Sequence, residues 1–264
     1  MQTTTENSPR LLLIDGMGVL RRIYEANGDK EADDLVASTL EAFKGSMHRA
    51  LNENNPTHVL AAFDADGPNW RHTLYPNYKA HRPPTPAAVL TAKAQALSYL
   101  DELGLSNVVI EGVEADDVLA SMACKASSFQ VPTLILSTDK DLYQLIDDFV
   151  HLRHHFKRET HGLSYVKETY GIEPTQLGDY LSLVGDRADG VPGAAGIGHK
   201  TAIKLLQQYQ SLDAIFVELD DISGRTGQLL RDSREAIVLS RQLVHLKTDV
   251  KVGLRFGDLR YHAQ

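Results

Sequence analysis

Nine acidic side chains stand where a fold could gather them. Asp15, Asp64 and Asp139 each close or closely follow a short apolar run: Leu11 to Ile14, Val59 to Phe63 and Leu134 to Leu136. Such runs read as buried parallel strands, and ligands of an open parallel sheet collect at the carboxyl ends of its strands. Glu114, Asp116 and Asp117 belong to the run EADD where a helix begins, Asp141 follows Asp139 by two residues, and Asp186 and Asp189 form a pair in GDRAD. So many carboxylates cannot share one site fully ionised unless cations neutralise them, because like charges a few ångströms apart raise one another's pKa. Hard oxygen donors select magnesium or manganese, and no cysteine or histidine cluster suggests zinc. Two such ions about 4 Å apart stabilise the attacking and leaving oxygens of a phosphodiester and help deprotonate water. The set points to metal-assisted phosphodiester hydrolysis. Taken singly, acids at loop tips are simply solvated, and Asp66, Asp147, Asp148, Asp220 and Asp221 are read that way.

Two other groups suit a nucleic acid. In WRHTLYPNYKAHRPPTP the cations Arg71, Lys79 and Arg82 alternate with Trp70, Tyr75 and Tyr78, a mixture fitted to phosphates and unstacked bases. The loop follows the second acid-bearing strand, which puts it above the acids. The stretch from Gly193 through Gly196, Ile197, Gly198, His199, Lys200 and Thr201 combines small residues with the start of a helix near His199. Its amides could hold a phosphate without reading sequence. No strand precedes it, so it is not a nucleotide-binding fingerprint, and alone it reads as a tight interhelical turn.

The elements that must position these groups alternate. Helical stretches at about 31–54, 85–103 and 115–128 separate the strands, which predicts an α/β fold, a parallel sheet with helices on both faces. After about residue 168 helix signals separated by glycine take over, so the expected division is a catalytic domain over 11–168 and a helical domain over 169–264. The polar leader MQTTTENSPR, residues 1–10, lacks the apolar core of a signal peptide and is expected to be disordered. A single cysteine, Cys124, excludes an internal disulfide and is read as a buried thiol in a cytoplasmic protein. No apolar run reaches the ~20 residues that cross a bilayer, and nothing demands more than a monomer. The net charge of −8 argues against nucleic acid only until the nine acids are discounted as a metal pocket, which leaves +1.

Together these motifs resemble the bacterial flap endonuclease family, which includes the 5′ nuclease domain of DNA polymerase I. The matching stretches are LLLIDG with Arg22 seven residues after Asp15, AAFDADGPNWRHTLYPNYKAHRPPTP, GVEADDVLASMA, LSTDKDLYQLI and LVGDRADGVPGAAGIGHKTAIKLL, in family order from residue 11 to about 206. The short chain, HHFKRET and LKTDV are most similar to the stand-alone, exonuclease IX-like members. The resemblance implies a PIN-like nuclease domain, then a helix-three-turn-helix region gripping duplex DNA. It implies a first metal site at Asp15, Asp64, Glu114 and Asp116, and a second at Asp139, Asp141, Asp186 and Asp189 with Asp117 nearby. It also implies catalytic roles for Arg22, Lys79 and Arg82 and an arch over about 72–100. Arg71 and Gly196 to Thr201 would contact DNA, and K⁺ would be held by the carbonyls of Leu183, Val184, Pro192, Ala194 and Ile197. The expected activity is structure-specific cleavage of DNA carrying a 5′ flap or single-stranded 5′ end, with Mg²⁺, or Mn²⁺ in its place. Arg21 stands where an aromatic is usual, Gly190 replaces an asparagine, and His199 replaces proline or glutamate.

Two other readings compete. A haloacid-dehalogenase-type phosphatase would start like IDGMGVL, but its general acid belongs two residues after the nucleophile, where Met17 stands. A catalytically inactive protein that binds branched DNA would gain nothing from a pocket that repels phosphate when metal-free.

Overall fold

Side chains alternate across a strand, so a strand covered on both faces is apolar throughout. Strand β1 (Leu11–Asp15) behaves this way: Leu11 and Leu13 enter one core, Leu12 and Ile14 the other, and all five residues are buried. Each fully buried leucine contributes about 1.5–3 kcal/mol, which makes this strand the keel of the fold. The computed structural model describes residues 8–28 and 32–262.

Five further strands extend the sheet: β2 (His58–Phe63), β3 (Ser106–Val109), β4 (Thr133–Leu136), β5 (Val150–His154) and β6 (Glu159–His161). Their order is β3-β2-β1-β4-β5-β6, parallel except for the hairpin partner β6. Because β2 and β4 flank β1 on opposite sides, the chain reverses direction of winding there, and a crevice opens at the carboxyl ends of β1 and β4. Helices α1 (Gly16–Ala26), α2 (Ala32–Asn54) and α4 (Ala87–Glu102) cover one face, and α5 (Ala115–Ser128) covers the other. The short α3 (Trp70–Leu74) leads into the loop 75–86. Beyond them α6 (Leu163–Tyr170), α7 (Leu177–Val184), α8 (His199–Tyr209), α9 (Leu212–Val217), α10 (Gly224–Asp232) and α11 (Arg234–Val244) form the helical part, packed into the same core as α5.

Three expectations change. Strand β3 and the β5–β6 hairpin did not stand out in the sequence, because β3 is mostly half-buried and β6 is three residues long. The stretch expected to arch over the site divides: α4 lies flat with Val89, Ala92, Ala96 and Leu100 buried in the core beneath α1 and α2, and only the loop 75–86 overhangs the crevice. Cys124 is exposed, because α5 turns residues 117–123 inward and Cys124 begins its solvent side. Most of the leader, residues 1–7, lies outside the described residues, but Arg10 is fastened: its amide donates to Thr57 Oγ1 at 2.7 Å and its Nε to the Asn55 carbonyl at 2.9 Å. None of the described helices is long and apolar enough to cross a membrane.

Candidate active site

The acids arrive at the crevice from separate elements. Asp15 ends β1 and caps α1, accepting from the Gly18 amide at 2.7 Å and from Ser137 Oγ at 2.7 Å. Only glycine fits at 18, since a Cβ there would stand 2.1 Å from the Asp15 carboxylate. Asp64 follows β2 and accepts from the Ala115 amide at 2.8 Å, which ties it to the start of α5. Glu114 precedes α5, Asp116 lies in its first turn, and Asp139 caps the short 3₁₀ turn that carries Asp141, accepting the Asp141 amide at 2.8 Å. Ser137 bridges the two halves of the set, since its Oγ also accepts the Asp139 amide at 3.0 Å.

Asp15, Asp64, Glu114, Asp116 and Asp139 line an open cleft of 660 Å³. A narrow hollow of 10 Å³, bounded by Asp141, Asp186 and Asp189, touches it at Glu114 and Asp116. Eight of the nine acids thus surround two adjoining spaces. Asp117 does not join them: its two oxygens accept from the Arg71 guanidinium at 2.8 Å each, from Trp70 Nε1 at 2.8 Å and from the Lys247 amide at 2.9 Å. No lone pair is left facing the cleft, so the structure corrects its assignment as a ligand.

The charges of the cleft are unevenly met. Glu114 accepts from Lys79 Nζ at 2.7 Å, Asn69 Nδ2 at 2.9 Å, Arg71 Nη1 at 3.0 Å and Tyr78 OH at 3.1 Å. Burial alone would raise its pKa, but the Lys79 and Arg71 cations overcome that and hold it low. Asp186 is paired with Lys140 at 2.6 Å, and Asp189 with Arg82. Among the described residues Asp116 has no such partner: burial, then Asp139, Asp15, Asp64 and Glu114, push its carboxyl well above the usual range. Asp15 is pushed up to about 6 by burial, against the hydrogen bonds from Ser137 and Gly18. Asp141 is pushed up to about 8 by burial and by Asp139 and Asp189, and its Oδ1 is buried with no hydrogen-bond partner among the described residues. Among the described residues no three of these side chains already close on a common point. An all-oxygen donor set with orphaned, mutually repelling carboxylates fits divalent cations.

This imbalance has a consequence for stability without metal. A carboxylate whose folded pKa is raised binds more protons folded than unfolded, so its contribution is present below the unfolded value and lost as pH rises through the folded one. For Asp141 that interval runs from 3.8 to about 8. His155, pulled down to about 4 by burial, acts in the opposite sense only up to 6.5. Between pH 6.5 and 8.5 the metal-free protein should therefore lose about 2 kcal/mol, seen as a falling melting temperature in EDTA. Asp141→Asn should flatten that slope; an equal slope in the variant would show that other groups carry it.

The cations divide in the same way. Lys79 Nζ lies between Glu114 and Asp189, 3.7 Å from the latter, and its amide donates to the Asp189 carbonyl at 2.8 Å. Arg82 Nε donates to the Ala188 carbonyl at 3.2 Å, so the overhanging loop is docked on the 186–191 turn. That docking requires glycine at 190, where φ is +73° and a Cβ would meet the Asn77 carbonyl at 2.8 Å. Three assignments are corrected. Arg71 is 1% exposed and spends its donors on Glu114, Asp117 and the Leu243 carbonyl, so it cannot reach DNA. Arg22 points to solvent, 3.9 Å from Glu25, while its neighbour Arg21 lines the cleft and donates to Thr85 Oγ1 at 2.6 Å. Trp70 and Tyr78 are no free stacking platforms: the indole lies against Arg71 and Lys247, and Tyr78 is buried against Glu114.

In the glycine-rich turn Gly196, Gly198, His199 and Lys200 are exposed, Thr201 is half-buried, and Ile197 is buried, able to offer only its backbone. Helix α8 starts at His199 with no side chain capping its first amides. The Leu183 carbonyl accepts the Ala194 amide at 2.8 Å and the Ala194 carbonyl accepts the Ile197 amide at 3.0 Å. Sequence reasoning missed Ser137, Asn69 and Lys93. Ser137 sits inside LSTDKD and Asn69 heads a helix-capping pattern, both legible in principle. Lys93 Nζ, which donates to the Asp64 carbonyl at 2.6 Å, left no signal within its helix.

An acid-lined crevice at the switch point of a parallel sheet, roofed by a basic loop and followed by a helical domain, is the plan of a nuclease that works with divalent metal. Residues 10–171 match the family of the 5′-3′ exonuclease N-terminal resolvase-like domain, and residues 172–264 match the 5′-3′ exonuclease C-terminal SAM fold. Flap endonuclease Xni of Psychromonas ingrahamii is 35% identical over 253 residues, spanning 95% of this chain and 97% of that one. Thermostable DNA polymerase I of Thermus aquaticus is 36% identical over 258 residues, 97% of this chain but 30% of that polymerase. Among solved structures, T5 5′-exonuclease with bound zinc ions superposes with a TM-score of 0.73 at 21% identity, covering 90% of each chain. The chain belongs to the 5′-3′ exonuclease family and is a structure-specific, metal-dependent 5′ nuclease of the flap endonuclease kind.

Proposed function

We propose that the protein hydrolyses DNA close to the junction of a 5′ flap or single-stranded 5′ end, with magnesium at Asp15, Asp64, Glu114, Asp116, Asp139, Asp141, Asp186 and Asp189. Manganese, which shares the preference for oxygen donors, would substitute. The observation that carries this reading is the gathering of eight carboxylates from separate elements around two adjoining spaces, with Asp116 at their junction and no cation paired to it among the described residues. Bound ions supply the neutralisation that the cleft lacks and the Lewis acidity that phosphodiester hydrolysis needs. The protein's own groups do the rest. Lys79 and Arg82 stand at the cleft mouth as internal counter-ions of Glu114 and Asp189, ready to turn to a substrate phosphate. The backbone from Gly196 to Lys200, with the open amides of α8, suits the phosphates of the duplex.

The carbonyls of Val184, Pro192 and Ile197, with the second lone pairs of Leu183 and Ala194, would hold a potassium ion beside that turn. One experiment reads both proposals: cleavage of end-labelled duplexes in potassium and in lithium buffer. A 5′ flap should be cut near its base and a 3′ flap left intact, with duplex affinity several-fold weaker in lithium. Equal cutting of both flaps would contradict the substrate reading, and equal affinity in both salts the potassium reading. The protein should act as a monomer.

A further inference from the structure

One helix joins the glycine-rich turn to the acidic cleft. Serines of α11 hold the turn: the Ala195 amide donates to Oγ of the N-cap Ser233 at 3.2 Å, and the Gly193 amide to Oγ of Ser240, further along the helix, at 2.8 Å. At its exit the chain presents two carbonyls to the buried Arg71, whose Nε donates to Leu243 at 2.7 Å and whose Nη2 donates to His245 at 3.5 Å. The same guanidinium donates to Glu114 Oε2 and to both oxygens of Asp117. The strap that follows is fastened to α5 by Ser121, whose Oγ accepts the Val250 amide at 3.0 Å and shares its one proton between the Asp117 carbonyl at 2.8 Å and the Lys247 carbonyl at 3.1 Å.

We infer that Arg71 is a positioning residue that carries the seating of α11, and so of the turn held by α11, to the carboxylate of Glu114. The guanidinium is a rigid planar fork. Any shift of the Leu243 and His245 carbonyls tilts that plane, and with it the donor that fixes Glu114 Oε2. Of the other partners of Glu114, Asn69 precedes α3 and Tyr78 and Lys79 belong to the overhanging loop, which reaches Asp189, so among the hydrogen bonds of the described residues Arg71 is the only one of the four that also donates to α11. Asp117, spent wholly on Arg71, Trp70 and the strap, is the anchor of this device and not part of the metal shell. The inference rests on the reading that Glu114 serves the metal site.

The test uses the full chain and magnesium alone as the probe, read as the Mg²⁺ concentration at half-maximal rise in melting temperature, together with flap-duplex affinity in EDTA. Arg71→Lys keeps the charge and loses the fork. Its Mg²⁺ midpoint should rise about 10-fold with DNA affinity within about 2-fold of wild type. Ser121→Ala loosens the strap and touches no group on Glu114; its midpoint should move the same way by about 2-fold to 5-fold, which keeps the inference testable if Arg71→Lys fails to fold. Wild-type midpoints in both variants, whatever their melting temperatures, would overturn it and leave Arg71 a purely structural pair. Absence of any Mg²⁺ response in the wild-type protein would instead remove the metal reading itself.

Discussion

Asp116→Asn should lower the single-turnover rate of flap cleavage by about three orders of magnitude or more, equivalent to at least about 4 kcal/mol of barrier. It should also raise the melting temperature of the metal-free protein. The two effects share one cause. Asp116 lies in the first turn of α5 facing Asp139, Asp15, Asp64 and Glu114, and its burial among them makes the ionised form costly. An amide of the same shape removes that repulsion and removes a metal ligand with it. Each kcal/mol of repulsion relieved corresponds to about 2–4 °C for a chain of this size. The variant should bind flap DNA in EDTA at least as well as wild type, because a negative charge facing phosphate has gone. A damaged fold would lower activity and melting temperature together; opposite movements are the signature expected here, and a near-normal rate would contradict the assignment of Asp116.

Lys79→Ala should slow the same step by about 100-fold, the usual cost of removing one charged donor from a developing anion, with flap affinity reduced by less than about 10-fold. Lys79 is held by both ends. Its backbone, at φ +52°, donates to the Asp189 carbonyl, and its ammonium lies 2.7 Å from Glu114. The side chain is thus aimed into the cleft by the docking of the loop on the 186–191 turn. Alanine leaves that docking intact, because the backbone makes it, and so isolates the charge. Burial opposes the charge of Lys79 while Glu114 and Asp189 sustain it, which keeps the ammonium protonated throughout the working pH range. A single-turnover rate equal to wild type would deny the residue any part in the chemistry.

Periodicity exposed the elements that are apolar on every side or strongly patterned. Strands β1, β2 and β4 and helices α2, α4 and α5 fall within a few residues of where the sequence puts them, because continuous burial leaves continuous apolar runs. Strand β3 and the β5–β6 hairpin escaped because β3 and β6 lie at the edges of the sheet, where no such run is needed, and β5 buries only Val150 and Leu152. The acids were legible for a topological reason, since strand ends in a parallel sheet converge whatever lies between them. What remained illegible was direction. A helix turns Asp116 toward the cleft and its neighbour Asp117 into the interior, and sequence spacing alone does not say which. The same applies to Arg21 and Arg22 on α1, and to Arg71, where a cation in a basic loop read as a phosphate contact is the best-buried cation among the described residues. Arg71 found its carboxylates because both partners were deprived of water together, an arrangement set by α11 arriving from 172 residues further along the chain.

The central claim is that the cleft is a metal-dependent 5′ nuclease centre, and the measurement that tests it most directly is cleavage of an end-labelled 5′-flap duplex by the wild-type protein with Mg²⁺, with Mn²⁺ and with EDTA. Cutting near the single-strand to double-strand junction in either metal, and none in EDTA, is the predicted result. Tight binding of the flap with no product in either metal would contradict it, and would make the acids of the cleft the site of something other than hydrolysis.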